Sequence, residues 1–513
     1  MLLDALRHRN QGDWLIGLDK FELQEKTEQL YIELTALTQL SEFTKTGIRR
    51  RVIISDRSPL TFLAKFLAAI SAGCQVFLCN PDWGIQEWQE VLELVKPNPT
   101  DIFWVEVNSN IPSLQILDKS EEKSIPLSPV LLEKELDVRE KSIPVSSILK
   151  ESLGVEVGVG EILPLIMIPT GGSSGKIKFV MHSWETLTAS VKGFTEYFQL
   201  KQVHSFCVLP LYHVSGLMQF IRSFTTDGKF LTIPFKTLEA SPVLPISLDD
   251  CGDFLISLVP TQLQRLLENL IFTESLSKFK AILLGGAPPW DELLERASYY
   301  QIPIALTYGM TETASGIVAL KPEDFIQGKA NSLGLLPHAN IKIRNSLGHV
   351  LNINEIGNIT IQAKSLAIGY FPNKWVNMDY FTVDDLGYFD DQGYIHIVGR
   401  NSDKIITGGE NVYPIEVESA IRNTGMVKDV SVMGIPDSYW GQAVTAIYIP
   451  QNPDDNSDGD NYWSIKLLLQ QKISNYKIPK YWIAVEKIPR NNQGKINTQE
   501  LHQIVDTFLN LSI

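Results

Sequence analysis

Short apolar runs of strand length recur through the first three hundred residues with helical patterns between them, and this alternation constrains the fold more than any other feature. The helical pattern of Leu23 to Leu40 precedes runs at Arg51 to Ser55 and Cys74 to Cys79. Others follow at Phe206 to Leu209, Phe254 to Val259, Ala281 to Leu284 and Ile304 to Thr307. Runs of this length, bounded by turn residues and separated by helices, favour an α/β sheet. The most membrane-like stretch, Leu60 to Cys79, is interrupted by Lys65 and Gly73 before it reaches the roughly 18 apolar residues that a spanning helix needs. It reads as a buried helix running into a strand.

After about residue 330 the punctuation changes to frequent Gly and Asn between short strands at Ile341 to Ile343, Gly357 to Gln362 and Tyr394 to Val398, which predicts a smaller β-rich subdomain. From Asn401 a new α+β unit can be traced. Pro414 to Ile421 reads as a helix with proline at its first position, Val430 to Met433 and Ala443 to Ile449 as strands, and Gln451 to Asp460 as an acidic loop. A boundary at Arg400 to Asp403 divides the chain into residues 1–400 and 401–513. Residues 118–150, charged and proline-punctuated, read as a surface excursion.

Charge narrows the partners. The 45 Lys and Arg against 59 Asp and Glu leave a formal net charge of −14 with no segregated basic patch, which argues against a nucleic-acid partner. Four cysteines without a C-x-x-C pair argue against a disulfide framework or a zinc ribbon and fit a reducing cytoplasm. Charge arrives early in Met1 to Arg9, so no secretory signal is expected there. A homo-oligomer is compatible with the sequence and not demanded by it.

The densest chemical signal is Thr170-Gly171-Gly172-Ser173-Ser174-Gly175-Lys176-Ile177-Lys178, directly after the apolar run Ile162 to Ile168. Glycines let the backbone turn its amides inward, hydroxyls add donors and lysines add charge, a composition suited to phosphate. The same composition also makes a plain hairpin tip. The Walker pattern fails, because Thr170 stands at its first glycine and Ile177 follows Lys176. Gly171 to Gly175 does match G-x-S-x-G, with Ser173 as a nucleophile. That elbow needs a helix immediately after the serine, whereas Ile177 to His182 alternates like a strand and Ser183 caps a helix over Trp184 to Phe198.

A strand, a Gly/Ser loop and a strand with a trailing lysine together resemble the phosphate loop of the adenylate-forming superfamily, which includes acyl-CoA ligases, peptide-synthetase adenylation domains and firefly luciferase. Further segments are similar to that family's signatures in order and spacing: Pro210 to Gly216, Leu284 to Pro288, Tyr308 to Thr313, Val383 to Tyr388, Gly399 to Pro414 and Pro489 to Ile496. The resemblance implies a fold and a chemistry. The fold is a large N-terminal domain of two α/β subdomains and a β-rich one, followed by a small mobile α+β domain. The chemistry is acid activation by ATP to acyl-AMP, then displacement of AMP by the thiol of coenzyme A.

It also implies residue roles. Thr170 to Gly175 with Lys178 would wrap the β- and γ-phosphates of ATP. Gly285, Gly286 and Ala287 would form a shelf for adenine, on which Tyr308 stacks, with Gly309 and Met310 beside it. Thr311 would meet the α-phosphate, and Glu312 would hold Mg²⁺, since a carboxylate cannot approach the α-phosphorus until a hard cation offsets the phosphate charge. Asp385 and Arg400 would bind the ribose. Lys495 would stabilise the pentavalent charge of adenylation. Ser402 occupies the hinge, where Asp or Lys is usual, and Gly408 and Gly409 would form the thiol tunnel. His213 and Ser215 would line the acyl pocket, His213 also gating the thiol. Arg222, nine residues beyond His213 and predicted on the following helix, offers a cation to a second carboxylate, which points to a dicarboxylic acid. A solvated surface arginine is the competing expectation, and an aryl or medium-chain acid the competing substrate.

Overall fold

The computed structural model describes residues 2–39, 50–97, 101–105, 164–171, 176–240, 244–329, 333–376, 378–437, 439–451, 460–490 and 496–511. Four sheets organise them. One of seven strands runs, in spatial order, Asn373–Lys374, Gly369–Tyr370, Ile177–Ser183, Leu165–Gly171, Gln75–Leu78, Arg51–Ser55 and Ile102–Val105. One of eight runs Leu15–Ile16, Phe230–Thr232, His204–Cys207, Phe254–Leu258, Ala281–Leu284, Ile304–Met310, Ser315–Ala319 and Gly334–Leu335. The four strands Ala339–Arg344, Gly357–Ala363, Phe381–Phe389 and Ile395–Arg400 form an antiparallel third sheet. The fourth has five strands and is built wholly from residues after 404: Glu410–Val412, Ile405–Thr407, Gly441–Pro450, Val427–Asp437 and Tyr481–Ala484.

A single apolar cluster joins the two larger sheets. It takes Val52, Ile54, Val76 and Leu78 from one, Cys207 and Phe230 from the other, and fills the space between them with the helices Pro59–Ser71 and Val214–Thr225. Pro59–Ser71 is the membrane-like run of the sequence. It starts where Ser58 Oγ accepts the Thr61 amide, with Pro59 in the first turn, and buries both phenylalanines, Phe62 and Phe66. Each such side chain removed from water contributes about 1.5–3 kcal/mol, so the stretch is a core helix. Among the described residues no helix is long and apolar enough to cross a membrane.

The helix Trp184–Phe198 begins at a reciprocal cap: Ser183 Oγ accepts the Thr186 amide and Thr186 Oγ1 accepts the Ser183 amide. The cap holds it across the strand Ser315–Ala319, where Ser190 Oγ donates to the Ala314 carbonyl and Tyr197 Oη to that of Ala319. Two differences from the sequence reading matter for the site. The run expected to end at Thr307 continues to Met310, because Ser315–Ala319 turns back and pairs with it. The two-residue strands Gly369–Tyr370 and Asn373–Lys374 carry no hydrophobic period; they exist because Gly369 and Tyr370 pair with Met181 and Val180. Residues 118–150, together with 452–459 of the acidic loop, lie outside the described residues.

Candidate active site

The Gly/Ser segment is carried on an antiparallel hairpin. Leu165–Gly171 returns as Ile177–Ser183, which sets Thr170 opposite Lys178 and Gly171 opposite Ile177. Gly172, Ser173, Ser174 and Gly175 lie outside the described residues, as does Lys495. The helix comes only at Trp184, after seven residues of strand. A nucleophile elbow needs strand, serine and helix in immediate succession, so the hydrolase alternative built on Ser173 is discarded.

Lys178 reaches from this hairpin to Tyr370, its Nζ 5.6 Å from the ring centroid, and Tyr370 Oη donates to Glu312 Oε1 at 2.6 Å. One phenol thereby bridges the glycine hairpin and the Thr311–Thr313 turn. Tyr370 escaped sequence reasoning because it is 58 positions from its partner and sits in a strand too short to show a pattern. Glu312 is 9% exposed, and its carbonyl accepts the Ala367 amide.

His182 fixes the same turn from below. It is fully buried, and burial pushes its pKa down to about 4, so the imidazole is neutral with one N–H. Nε2 lies 2.7 Å from the Thr311 carbonyl, which can only accept, so the proton sits on Nε2. Nδ1 then accepts from Thr186 Oγ1 at 2.9 Å.

At the carboxyl ends of two neighbouring parallel strands lie Gly285, Gly286 and Ala287, after Ala281–Leu284, and Tyr308, Gly309 and Met310, closing Ile304–Met310. Such strand ends are where open α/β sheets hold ligands. Gly285 admits no side chain, since a Cβ there would stand 2.5 Å from Thr307 Oγ1, and Gly286 and Ala287 are exposed as a ledge. Tyr308 Oη donates to Asp385 Oδ2 at 2.6 Å, and Arg400 Nε is 3.4 Å from Asp385 Oδ1 across the Asp385–Arg400 strand pair. Burial, then the Asp385 charge, holds the Tyr308 phenol well above its ordinary pKa, so it remains a donor.

The acid-side residues share the helix Val214–Thr225. His213 precedes its first residue, half-buried, its ring 4.4 Å from that of Tyr212. Ser215 is exposed on the first turn, and Arg222, two turns further on the same face and about 10 Å deeper, is 4% exposed. The surface-arginine expectation is therefore corrected: Arg222 is core. Its guanidinium lies 4.0 Å from the Phe194 centroid, Nη2 donates to Ser315 Oγ at 3.1 Å, and buried Nε has no partner among the described residues. No Asp or Glu pairs with it among the described residues, and burial pulls its pKa from 12.5 to about 10. Ala314 and Ser315 both take left-handed φ, 53° and 86°, an uncommon backbone for residues with a Cβ and a form of strain that clusters at functional sites.

Between Arg400 and Ile405 the chain passes from the third sheet to the fourth. Ser402 is exposed in that passage, its amide 3.4 Å from Asp384 Oδ2. Gly408 and Gly409 form the turn of the hairpin Ile405–Thr407/Glu410–Val412, both with left-handed φ, and Gly408 lies against Trp440. The helix Pro414–Arg422 touches the larger part of the chain: Asn423, just beyond it, donates to Asp291 Oδ2 at 2.9 Å, and Arg422 lies 5.5 Å from the Trp290 ring.

Among the described residues no group of three or more His, Cys, Asp or Glu could cage a metal. Glu312 offers a single carboxylate with Oε1 held by Tyr370. That suits Mg²⁺ carried mainly by phosphate oxygens and water, and suits no metal that demands an all-protein shell.

Comparison with known proteins gives a consistent picture. The family model "AMP-binding enzyme" matches residues 43–371 and "AMP-binding enzyme C-terminal domain" matches residues 416–495. The chain is 33% identical over 343 residues to a 2-succinylbenzoate–CoA ligase of Listeria monocytogenes, covering 65% of this chain and 68% of that one. It is 30% identical over 383 residues to a protein of the same name from Bacillus anthracis, covering 72% and 77%. Among solved structures it resembles o-succinylbenzoate coenzyme A synthetase of Bacillus subtilis. The complex with ATP and magnesium gives a TM-score of 0.71 at 25% identity, over 97% of this chain and 99% of that one. The complex with the acyl-adenylate gives 0.71 at 24% identity over 97% of each.

Proposed function

Because the chain belongs to the AMP-binding enzyme family, we propose that it is an AMP-forming acid–CoA ligase that activates 2-succinylbenzoate as acyl-AMP and transfers it to coenzyme A, in menaquinone or phylloquinone biosynthesis. The names of its relatives support this, and so does its own wording: Leu209 to Leu217 with Arg222 beyond, and Arg400 to Asp403, are most similar to such ligases. The observation that carries the substrate is Arg222, a buried cation with no carboxylate paired to it among the described residues. A fatty or simple aryl acid gains nothing from it. An acid that is activated at its succinyl carboxylate and keeps a ring carboxylate supplies the missing counter-ion.

In this reading ATP lies across the strand ends. Adenine rests on Gly285, Gly286 and Ala287 against Tyr308, Asp385 and Arg400 take the ribose, and the Thr170 to Lys178 loop covers the terminal phosphates. Thr311 meets the α-phosphate. Mg²⁺, when bound at Glu312, lowers the charge that the incoming carboxylate must approach. Tyr370 and His182 orient the Thr311–Glu312 turn through the bonds described above. The domain after Arg400 is mobile about Ser402: one orientation brings Lys495 to the reacting phosphate, the other brings Gly408 and Gly409 to the pantetheine arm past His213. An enzyme drawing on ATP and coenzyme A, with all four cysteines buried as thiols, belongs in the cytoplasm.

The test is ATP-dependent thioester formation with 2-succinylbenzoate beside benzoate and a medium-chain fatty acid. The expected result is a kcat/KM for 2-succinylbenzoate at least about a hundredfold above the others, the discrimination available when a buried polar group is left unpaired by the wrong substrate. Equal or better use of either monocarboxylic acid would overturn the substrate assignment.

A further inference from the structure

We infer that His338 is a second specificity-determining residue, donating a ring N–H to the same distal carboxylate that Arg222 attracts; this rests on the dicarboxylate reading of the acid site. The placement follows from strand register. Ser315–Ala319 and Gly334–Leu335 run antiparallel, pairing Val318 with Leu335 and Ala319 with Gly334. The Leu336 amide still bonds to the Ile317 carbonyl. The strand ends at Leu335, and Pro337 and His338 form the turn that follows, closed by the Ala339 amide on the Leu336 carbonyl.

The helix across that strand is cut away to receive the ring. A Cβ at Gly193 would stand 1.7 Å from His338 Nδ1, so glycine alone fits there, and its neighbour Phe194 is the ring beneath Arg222. His338, Arg222, Phe194 and Ser315 thus meet in one place. Among the described residues neither of the buried ring nitrogens of His338, Nδ1 and Nε2, has a partner, and nor does Nε of Arg222. Native interiors leave few polar atoms unsatisfied, and an apolar side chain would fill the space under Gly193 at no such cost. An unpartnered Arg222 Nε and an unpartnered His338 ring N–H, on two residues that pair with no Asp or Glu among the described residues, describe a site for an anion. Burial, and then the Arg222 charge, push His338 down to about 4, so it meets the ligand as a neutral donor and leaves the positive charge to Arg222. A carboxylate has two oxygens, one for Arg222 Nε–H and one for the imidazole N–H.

The experiment compares 2-succinylbenzoate with benzoylpropionate, the same acid without its ring carboxylate, in the full-length wild type, His338→Phe, His338→Gln and Arg222→Met. Calorimetric binding of Mg·ATP establishes that each variant is folded. In His338→Phe the ratio of the two kcat/KM values should fall at least about tenfold, as for a lost hydrogen bond to a charged group. The fall should come chiefly through KM for the dicarboxylate. His338→Gln, which keeps an N–H donor, should recover most of it, an effect that a purely structural histidine would not show. Where phenylalanine proves too bulky for Mg·ATP binding to survive, His338→Leu asks the same question. An unchanged ratio in the folded apolar variant, with the ratio lost in Arg222→Met, overturns the role of His338 alone. A wild type that does not prefer 2-succinylbenzoate overturns the parent reading and this one with it.

Discussion

Replacing Arg222 by methionine should stabilise the ligand-free protein while destroying its use of a dicarboxylate. The folded-state pKa of this group is lowered, from 12.5 to about 10. The charged form is therefore disfavoured by folding at every pH below about 10, and the penalty lifts only as the pH rises beyond that value. At about 1.4 kcal/mol per pH unit, the gap costs roughly 3 kcal/mol. The Phe194 face returns about 2 kcal/mol and the Ser315 hydrogen bond about 1 kcal/mol, so the guanidinium contributes nothing net to the empty fold. Methionine of similar length removes the charge, regains a sulfur–aromatic contact of about 1 kcal/mol and buries an apolar chain. The variant should come out ahead by roughly 1–2 kcal/mol, as buried ions replaced by apolar residues often do. Urea unfolding followed by tryptophan fluorescence at pH 7.5 measures this directly. 2-Succinylbenzoate should raise the wild-type midpoint and leave that of the variant unmoved, and kcat/KM for that acid should fall by about a hundredfold or more. A variant less stable than wild type by about 1 kcal/mol without ligand would show that the charge is already compensated, and the argument for a missing carboxylate would go with it.

Tyr370→Phe removes a hydrogen bond to a carboxylate, so the Kd for Mg·ATP by calorimetry should rise about tenfold, with the half-saturating magnesium concentration rising in step. Lys495→Ala should block adenylation yet spare thioester formation from supplied acyl-adenylate; single-turnover assays showing equal loss of both halves would contradict that division of labour. His182 is held near pKa 4 against an ordinary 6.5. Its stability contribution is complete above pH 6.5 and is lost as the pH falls toward 4, by about 2 kcal/mol at pH 5. His182→Gln, which keeps a donor for Thr311, should lose less unfolding free energy between pH 7.5 and 5 by that amount, measured by urea titration at each pH.

Helix and strand positions were legible wherever the decisive signal is local. Trp184–Phe198 begins and ends where the Ser183 cap and the apolar period place it, and Pro414–Arg422 starts at its proline. The strand character of Ile177–Ser183 counted against a serine nucleophile, since period-2 alternation does not continue as a helix, and the hairpin then removed that alternative. The burial of Arg222 was not legible. The eight apolar or polar residues between His213 and Arg222 say only that the helix continues; which face is covered depends on Phe194 and Ser315, brought in from other elements.

From the amino-acid order alone came the α/β class and the strand–loop–strand of the glycine hairpin, contiguous stretches whose backbone needs are met by neighbours in the chain; the Tyr308 to Glu312 segment, and Asp385 with Arg400, were implied by the family resemblance of short motifs. Tertiary structure alone decided that Tyr370 grips Glu312, that His182 holds Thr311 from 129 positions away, and that His338 packs under Gly193, next to the Phe194 ring that lies beneath an arginine with no acidic partner among the described residues. The physical reason is register. A side chain's own sequence fixes its chemistry and its local geometry, but its partner is chosen by how distant strands pair and which helix is laid across them.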